Sequence, residues 1–237
     1  MARFLLFTVF ALGVFGYGIG VGHYHWPPWQ VLAAGFRAAR LPSAMVAQQT
    51  YVEAKADLFA RSSVRPEIIM LGDSFTEMGI WDELLEGLSV VNRGISDDDS
   101  AGVLRRLPEV LGRHPRVICL EIGSNDLQQA VPMERVLENI RTIAADVSEA
   151  GSLVILQSVP FVVAGYWPDI NDAAKSLNAR LRDLANGVQI RFFDLNSILA
   201  DSEALDPRNS YDGLHLNVRG YLLWTAALAP VLRDALR

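Results

Sequence analysis

A chain of 237 residues, 51% of them hydrophobic, suffices for one α/β domain with a substantial core and a short appendage, and leaves little room for a second independent domain. A formal net charge of −6 with scattered basic residues argues against a nucleic-acid partner, which calls for a basic face. The single cysteine, Cys119, rules out an intrachain disulfide, and its place in the apolar run Val117-Ile118-Cys119-Leu120 is that of a buried, inert thiol.

From Phe4 to Gly22 the chain carries about 19 apolar or small residues without a charge, enough for one helical crossing of a hydrocarbon core. The apolar centre of a cleaved signal peptide is usually shorter, about 7 to 15 residues. Residues 1–25 are therefore expected to form an uncleaved signal anchor, a single-pass transmembrane helix. Arg3 and the free amine precede it, so the short end should stay in the cytoplasm and the rest should be extracytoplasmic, periplasmic or extracellular. Cleavage at Gly20-Val21-Gly22 would instead give a secreted protein. Trp26 and Trp29 around Pro27-Pro28 suit either a membrane interface or a plain apolar contact. Gly16/Gly20 and Gly18/Gly22 have the spacing that lets two such helices pack. His23 and His25 form an HxH pair, but four histidines in all supply a metal site poorly.

Residues 26–65 are alanine-rich and helical in pattern from Gln30, with Pro42-Ser43 splitting two helices, and read as a membrane-proximal stalk or cap. Over 66–237 the texture changes to five strand-like runs, Glu67–Leu71, Ser89–Asn92, Arg116–Glu121, Ser152–Gln157 and Gln189–Phe193. Helical stretches fall near Phe75–Leu85, Ser100–Arg113, Met133–Ala150, Asn171–Leu184 and Asn217–Leu236. Such alternation predicts a parallel five-stranded sheet covered on both faces, a three-layer α/β/α domain. Ligands of such sheets bind beyond the carboxyl ends of the strands. Gly72-Asp73-Ser74, Arg93-Gly94-Ile95-Ser96 and Gly123-Ser124-Asn125-Asp126 follow the first three strands, so all three open onto one edge.

The polar residues of that edge carry the chemistry. Ser74 stands at a strand-to-helix turn, where it is either a nucleophile or, with Asp73, part of a helix cap. A serine nucleophile needs a base within hydrogen-bond reach and an acceptor that orients the base. Asp212 and His215 are three residues apart and meet within one turn, although Asp212-Gly213 is also an ordinary turn sequence. Attack on an acyl carbon creates an oxyanion, for which the Ser74 N–H, the Gly94 N–H and the Asn125 side-chain amide are the available donors.

These segments resemble the four sequence blocks of the GDSL-type, or SGNH, hydrolase superfamily: GDSF at 72–75, the glycine of NRGIS, GSND at 123–126 and DGLHLN at 212–217. The resemblance covers about Ile68 to Gly220, in order. It implies Ser74 as nucleophile, His215 as base and Asp212 as its orienter, with Ser74, Gly94 and Asn125 forming the oxyanion hole. It also implies a flavodoxin-like sheet and no metal or organic cofactor. Phe75 replaces the leucine of the name motif, and Ser96-Asp97-Asp98-Asp99 is more acidic than the glycine-containing loop of relatives resembling platelet-activating-factor acetylhydrolase. The acidic run either repels anionic substrates or caps the helix that follows.

The expected activity is two-step hydrolysis of a carboxylic ester on a small molecule or glycan. O-acetyl groups of envelope glycans, (lyso)lipid esters and thioesters are the substrates considered. Acyl transfer to a glycan by the same triad and non-catalytic binding in the cell envelope are the rivals. Phe161, Tyr166 and Trp167 follow the fourth strand in a loop expected to overhang the same edge, where they either bind substrate or pack the loop onto the domain.

Overall fold

The computed structural model describes residues 44–166, 169–185 and 188–237, with side chains from residue 51 onward. The chain divides into two compact units, Met1–Tyr51 and Val52–Arg237, and helix α1 (Ala44–Arg61) runs across that boundary. In the second unit, five strands form one parallel sheet: β1 (Ile68–Gly72), β2 (Val90–Gly94), β3 (Val117–Glu121), β4 (Leu153–Gln157) and β5 (Ile190–Phe193). Their order is β2-β1-β3-β4-β5. The central strands β1 and β3 are buried at every position, whereas the edge strand β5 is half-buried throughout. A parallel strand covered on both faces must be apolar on both, which is why these segments read as continuous hydrophobic runs rather than alternating ones. The three-layer α/β/α architecture with a five-stranded parallel sheet is therefore as the sequence predicts. Cys119 is fully buried in β3, and burial pushes its thiol up.

The covering helices are α2 (Ser74–Glu77), α3 (Trp81–Leu84), α4 (Ser100–Leu111), α5 (Ser124–Gln128), α6 (Met133–Glu149), α7 (Asn171–Leu184), α8 (Asn196–Leu199) and α9 (Val218–Ala235). The starts of α2, α4 and α9 are set by side chains that accept from otherwise unpaired N–H groups. Asp99 accepts from Gly102 N at 2.6 Å, and Asn217 from Gly220 N at 3.2 Å. A two-stranded hairpin, β6 (Ala200–Asp201) with β7 (Ala204–Leu205), and a 3₁₀ turn at Pro207–Asn209 lead from α8 toward α9.

One predicted element breaks in two. The helix expected over Phe75–Leu85 is interrupted between α2 and α3, because Asn92 Nδ2 reaches across from β2 to the carbonyls of Thr76, Glu77 and Gly79 at 2.9–3.0 Å. Trp81 Nε1 takes the Thr76 carbonyl as well, at 2.7 Å. Those oxygens are the ones a continuing helix would have used internally. The interruption drops Trp81 into the core edge-to-face against Trp224, with ring centroids 4.9 Å apart. Trp224 Nε1 in turn donates to Gln157 Oε1 at 2.8 Å, so its buried polar end is satisfied.

The expectation of a membrane-anchored, extracytoplasmic protein is corrected: among the described residues no helix is long and apolar enough to cross a membrane. The segment Phe4–Gly22, on which the anchor rested, lies outside the described residues, as do Trp26, Trp29, the first helix of the stalk and the His23/His25 pair.

Candidate active site

The register of the sheet assembles the site. Gly72 at the end of β1 pairs with Gly94 of β2 on one side and Glu121 of β3 on the other, so the three loops that follow share one edge. Ser74 is the first residue of α2, in the turn directly after β1, and is 8% exposed. Asp73 precedes it as the cap, its Oδ1 accepting from Phe75 N at 3.0 Å. Capping and presentation of the serine are thus one arrangement, not alternatives.

From 141 residues away, His215 brings Nε2 to 3.1 Å from Ser74 Oγ. Its Nδ1 lies 2.6 Å from Asp212 Oδ2, while Asp212 Oδ1 accepts from Leu214 N at 2.9 Å and His215 N at 2.7 Å. With Nδ1–H donated to the carboxylate, Nε2 is left as the acceptor facing the serine hydroxyl. Burial opposes ionisation of Asp212, but the hydrogen bonds from the His215 ring and from these two amides prevail and hold its carboxyl below the usual range.

The turn bearing the imidazole is knit by short-range bonds. Ser210 Oγ accepts from Gly213 N and donates to the His215 carbonyl, both at 2.8 Å. Asn217 Nδ2 ties down the carbonyls of Arg208 and Ser210. Two links join this turn to the nucleophile side: Tyr221 Oη donates to Phe75 O at 2.8 Å, and the Phe75 ring lies 5.8 Å from the imidazole, centroid to centroid.

The expected oxyanion donors separate. The Ser74 N–H is in the first turn of α2, where the helix itself offers no acceptor. Asn125, in α5, donates from Nδ2 to Asp98 O at 2.9 Å, which pins its amide against the acidic loop. Gly94, however, already gives its N–H to Asn92 Oδ1 at 2.8 Å, so that amide is committed elsewhere. Its lack of a side chain answers a packing need instead, since a Cβ there would stand 2.2 Å from Glu77 N and 2.6 Å from Thr76 C. Three residues on, a turn closed by Asp98 N–H to Ile95 O at 3.1 Å holds Asp97 at φ 62°, a conformation more often given to glycine. Among the described residues the Asp97 N–H meets no acceptor. The acidic run is largely absorbed by structure: Asp98 is buried against Arg106 at 2.7 Å, and Asp99 caps α4.

The aromatic expectations fare unevenly. Phe161 is a core residue, 8% exposed, because its amide is drawn inward to Asn196 Oδ1 at 2.8 Å; it does not overhang the site. Tyr166 packs its ring over Gly213 beside the imidazole turn, and Trp167 lies outside the described residues. The aromatic that sequence reasoning missed is Tyr211, stacked on His215 at 5.9 Å and 15° and 62% exposed. Its only signal is adjacency to Asp212. Beside it opens an apolar groove of about 460 Å³ whose walls include Met78, Ile80, Leu84, Val218 and Leu222. Among the described residues no group of three or more His, Cys, Asp or Glu side chains is arranged to hold a metal ion.

Comparison with known proteins agrees with this geometry. Residues 70–223 match the model of the GDSL-like lipase/acylhydrolase family. The chain is 26% identical to an arylesterase of Vibrio mimicus over 67% of its own length and 84% of that protein. It is 28% identical to thioesterase 1/protease 1/lysophospholipase L1 of Escherichia coli K12, over 66% and 78%. Its fold matches a GDSL-like lipase structure from Bacteroides thetaiotaomicron with a TM-score of 0.69, at 23% identity, covering 78% of this chain and 98% of that one. The chain belongs to the GDSL-like lipase/acylhydrolase family and is a carboxylic ester hydrolase.

Proposed function

We propose that Ser74 is the nucleophile of a two-step acyl transfer, with His215 as general base and acid and Asp212 as its orienter. The observation that carries this is the unbroken relay from Ser74 Oγ to His215 Nε2 at 3.1 Å and from Nδ1 to Asp212 at 2.6 Å. Ser74 Oγ attacks the ester carbonyl carbon as its proton passes to Nε2. The C–O bond to the leaving alcohol then breaks, and the alcohol takes that proton. Water next gives a proton to Nε2 and its oxygen to the acyl carbon, and the acid departs as Ser74 Oγ recovers the proton. The oxyanion formed in each half is held by the Ser74 N–H and the Asn125 side-chain amide. We assign the third donor to the Asp97 N–H, because the Gly94 amide is engaged by Asn92.

For the substrate, we propose an ester carrying an alkyl or aryl group. The groove beside Tyr211 supports this: it is walled by the segment after α2 and the start of α9, the two elements that flank the serine and the histidine, and nearly all its lining is apolar. Relatives described as an arylesterase and as a thioesterase/lysophospholipase act on groups of that character. The test is a panel of p-nitrophenyl esters of increasing chain length together with acetylated saccharides. Wild type should turn over longer acyl esters faster than acetate, and Ser74→Ala should lose activity toward all of them by roughly 10⁴-fold or more. Activity surviving in Ser74→Ala would remove the nucleophile assignment. A steep preference for acetate would remove the substrate assignment and favour deacetylation.

A further inference from the structure

Beneath the serine lie two acids that the relay does not use. Asp73 and Glu121 are both fully buried. Glu121 ends β3 in register with Gly72, so its carboxyl and that of Asp73, the residue that follows Gly72, lie together under the nucleophile turn and each acts on the ionisation of the other. The packing there is close: a Cβ on Gly72 would stand 2.1 Å from Glu121 O and 2.3 Å from Thr76 Oγ1. Asp73 Oδ1 is satisfied by the Phe75 N–H. Asp73 Oδ2, Thr76 Oγ1 and both carboxyl oxygens of Glu121 are buried and, among the described residues, have no hydrogen-bond partner. All four are oxygens, and of them only the Thr76 hydroxyl carries a proton when both acids are ionised. A further proton on a carboxyl is what lets the two acids bond.

Among the described residues no cation takes that proton's place. Arg106 is the guanidinium nearest in influence, and its nitrogens are committed to Asp98 Oδ2 at 2.7 Å, Arg93 O at 2.8 Å and Gly72 O at 3.0 Å. Asp98, from the loop after β2, and Asp126, from α5, add negative charge. Tyr221 faces the pair from α9; burial and the two carboxyls push its phenol up, and it donates to Phe75 O. Two carboxylates side by side in so dry a place would each be destabilised by lost solvation and by the other.

We propose that Asp73 and Glu121 share a single proton, carried on Glu121, and that this acid pair is the positioning device of the nucleophile turn. The Glu121 O–H donates to Asp73 Oδ2, which frees Oδ1 for the Phe75 N–H and fixes the first turn of α2, and with it the Ser74 amide and hydroxyl. Burial, then the neighbouring acid, pushes the Glu121 carboxyl well above the usual range. The Asp73 carboxyl is pushed up as well, chiefly by burial and against the hydrogen bond from Phe75 N. The role in positioning rests on the hydrolase mechanism proposed above; the proton itself does not.

Infrared spectroscopy at mildly alkaline pH tests the proton without any turnover. Wild type should show the carbonyl band of a protonated, desolvated carboxylic acid, Asp212→Asn should keep it, and Glu121→Gln should lose it. In ester assays Glu121→Gln should keep kcat within about threefold of wild type, because its amide N–H still donates to Asp73. Glu121→Ala should lower kcat roughly tenfold to a hundredfold with KM little changed, as expected when a nucleophile is misplaced rather than a substrate contact removed. Absence of the band in wild type, wild-type turnover in Glu121→Ala, or an equal loss in both variants would each overturn the proposal. Should Glu121→Ala fail to fold, the infrared comparison of wild type with Glu121→Gln decides alone. Inactivity of Ser74→Ala tests the hydrolase mechanism separately, so failure of one does not imitate failure of the other.

Discussion

The two halves of the candidate site hold their side chains by opposite means. The nucleophile half is dry: Asp73, Thr76 and Glu121 are fully buried at the end of the sheet, and its carboxyls are pushed up by burial. The imidazole half is wet: Asp212 and Tyr211 are at the surface, and hydrogen bonds hold the Asp212 carboxyl down. A residue placed by sheet burial is as rigid as the core, whereas one placed by a turn depends on each local bond. In the proposed mechanism the serine is needed at a fixed point under the oxyanion donors. The histidine there exchanges a proton with groups entering and leaving, and it stands on the side open to solvent.

Substitutions can break this contrast. The largest effect beyond the serine itself is expected at Asp212, where Asn retains an acceptor for the Leu214 and His215 amides but presents the wrong group to the imidazole. Steady-state kinetics of Asp212→Asn should show kcat lower by roughly 10⁴-fold. Its melting temperature should stay near that of wild type, because the fold does not rest on that turn. A large loss of stability would mean the imidazole half is as integral to the core as the other.

Gly94→Ala probes the dry half and should do the reverse. The added Cβ meets backbone atoms of Thr76 and Glu77 rather than a flexible side chain. Chemical denaturation should report a loss of about 1–3 kcal/mol. An undisturbed Gly94→Ala protein would show that the packing of α2 on β2 is looser than its distances state.

The smallest effect is the acid response of a buried carboxylate in the turn that leads to the imidazole. Asp206 is bonded by the Arg208 guanidinium at 2.6–3.0 Å, and its pKa is depressed in the folded state. Such a carboxylate adds stability that is fully present above its unfolded pKa of about 3.9 and is lost as pH falls through the folded value. Denaturation midpoints of wild type should therefore drop more between mildly acidic and strongly acidic pH than those of Asp206→Asn. Parallel curves would show that this ion pair contributes nothing.

Much of this molecule was legible in one dimension. The layers follow from apolar runs alternating with helical periodicity, and the Asp212–His215 pair is visible because an acid and its imidazole three residues apart need only one turn to meet. The position of Ser74 at a strand end is likewise a local property. Other features had no such signal. The Phe75–Leu85 helix divides because Asn92, on the neighbouring strand, takes its carbonyls. Gly94 carries the family pattern, yet the Asn92 side chain decides that its amide faces away from chemistry. Phe161 was read as a site aromatic and is core, while Tyr211, with nothing but its neighbour to mark it, stacks on the imidazole. The apolar N-terminal stretch was read as an anchor from composition alone, and the membrane location drawn from it is withdrawn.

By itself, then, the sequence determined the layered parallel sheet and the order of the loops on its edge, and brought the serine, acid and imidazole forward as candidates, because periodicity and short spacing are encoded locally. Only the tertiary structure decided which amides remain open to an oxyanion and that Asp73 meets Glu121, 48 positions along the chain. Those outcomes depend on strand register and on which buried oxygens find a proton, and no pattern along one segment contains either.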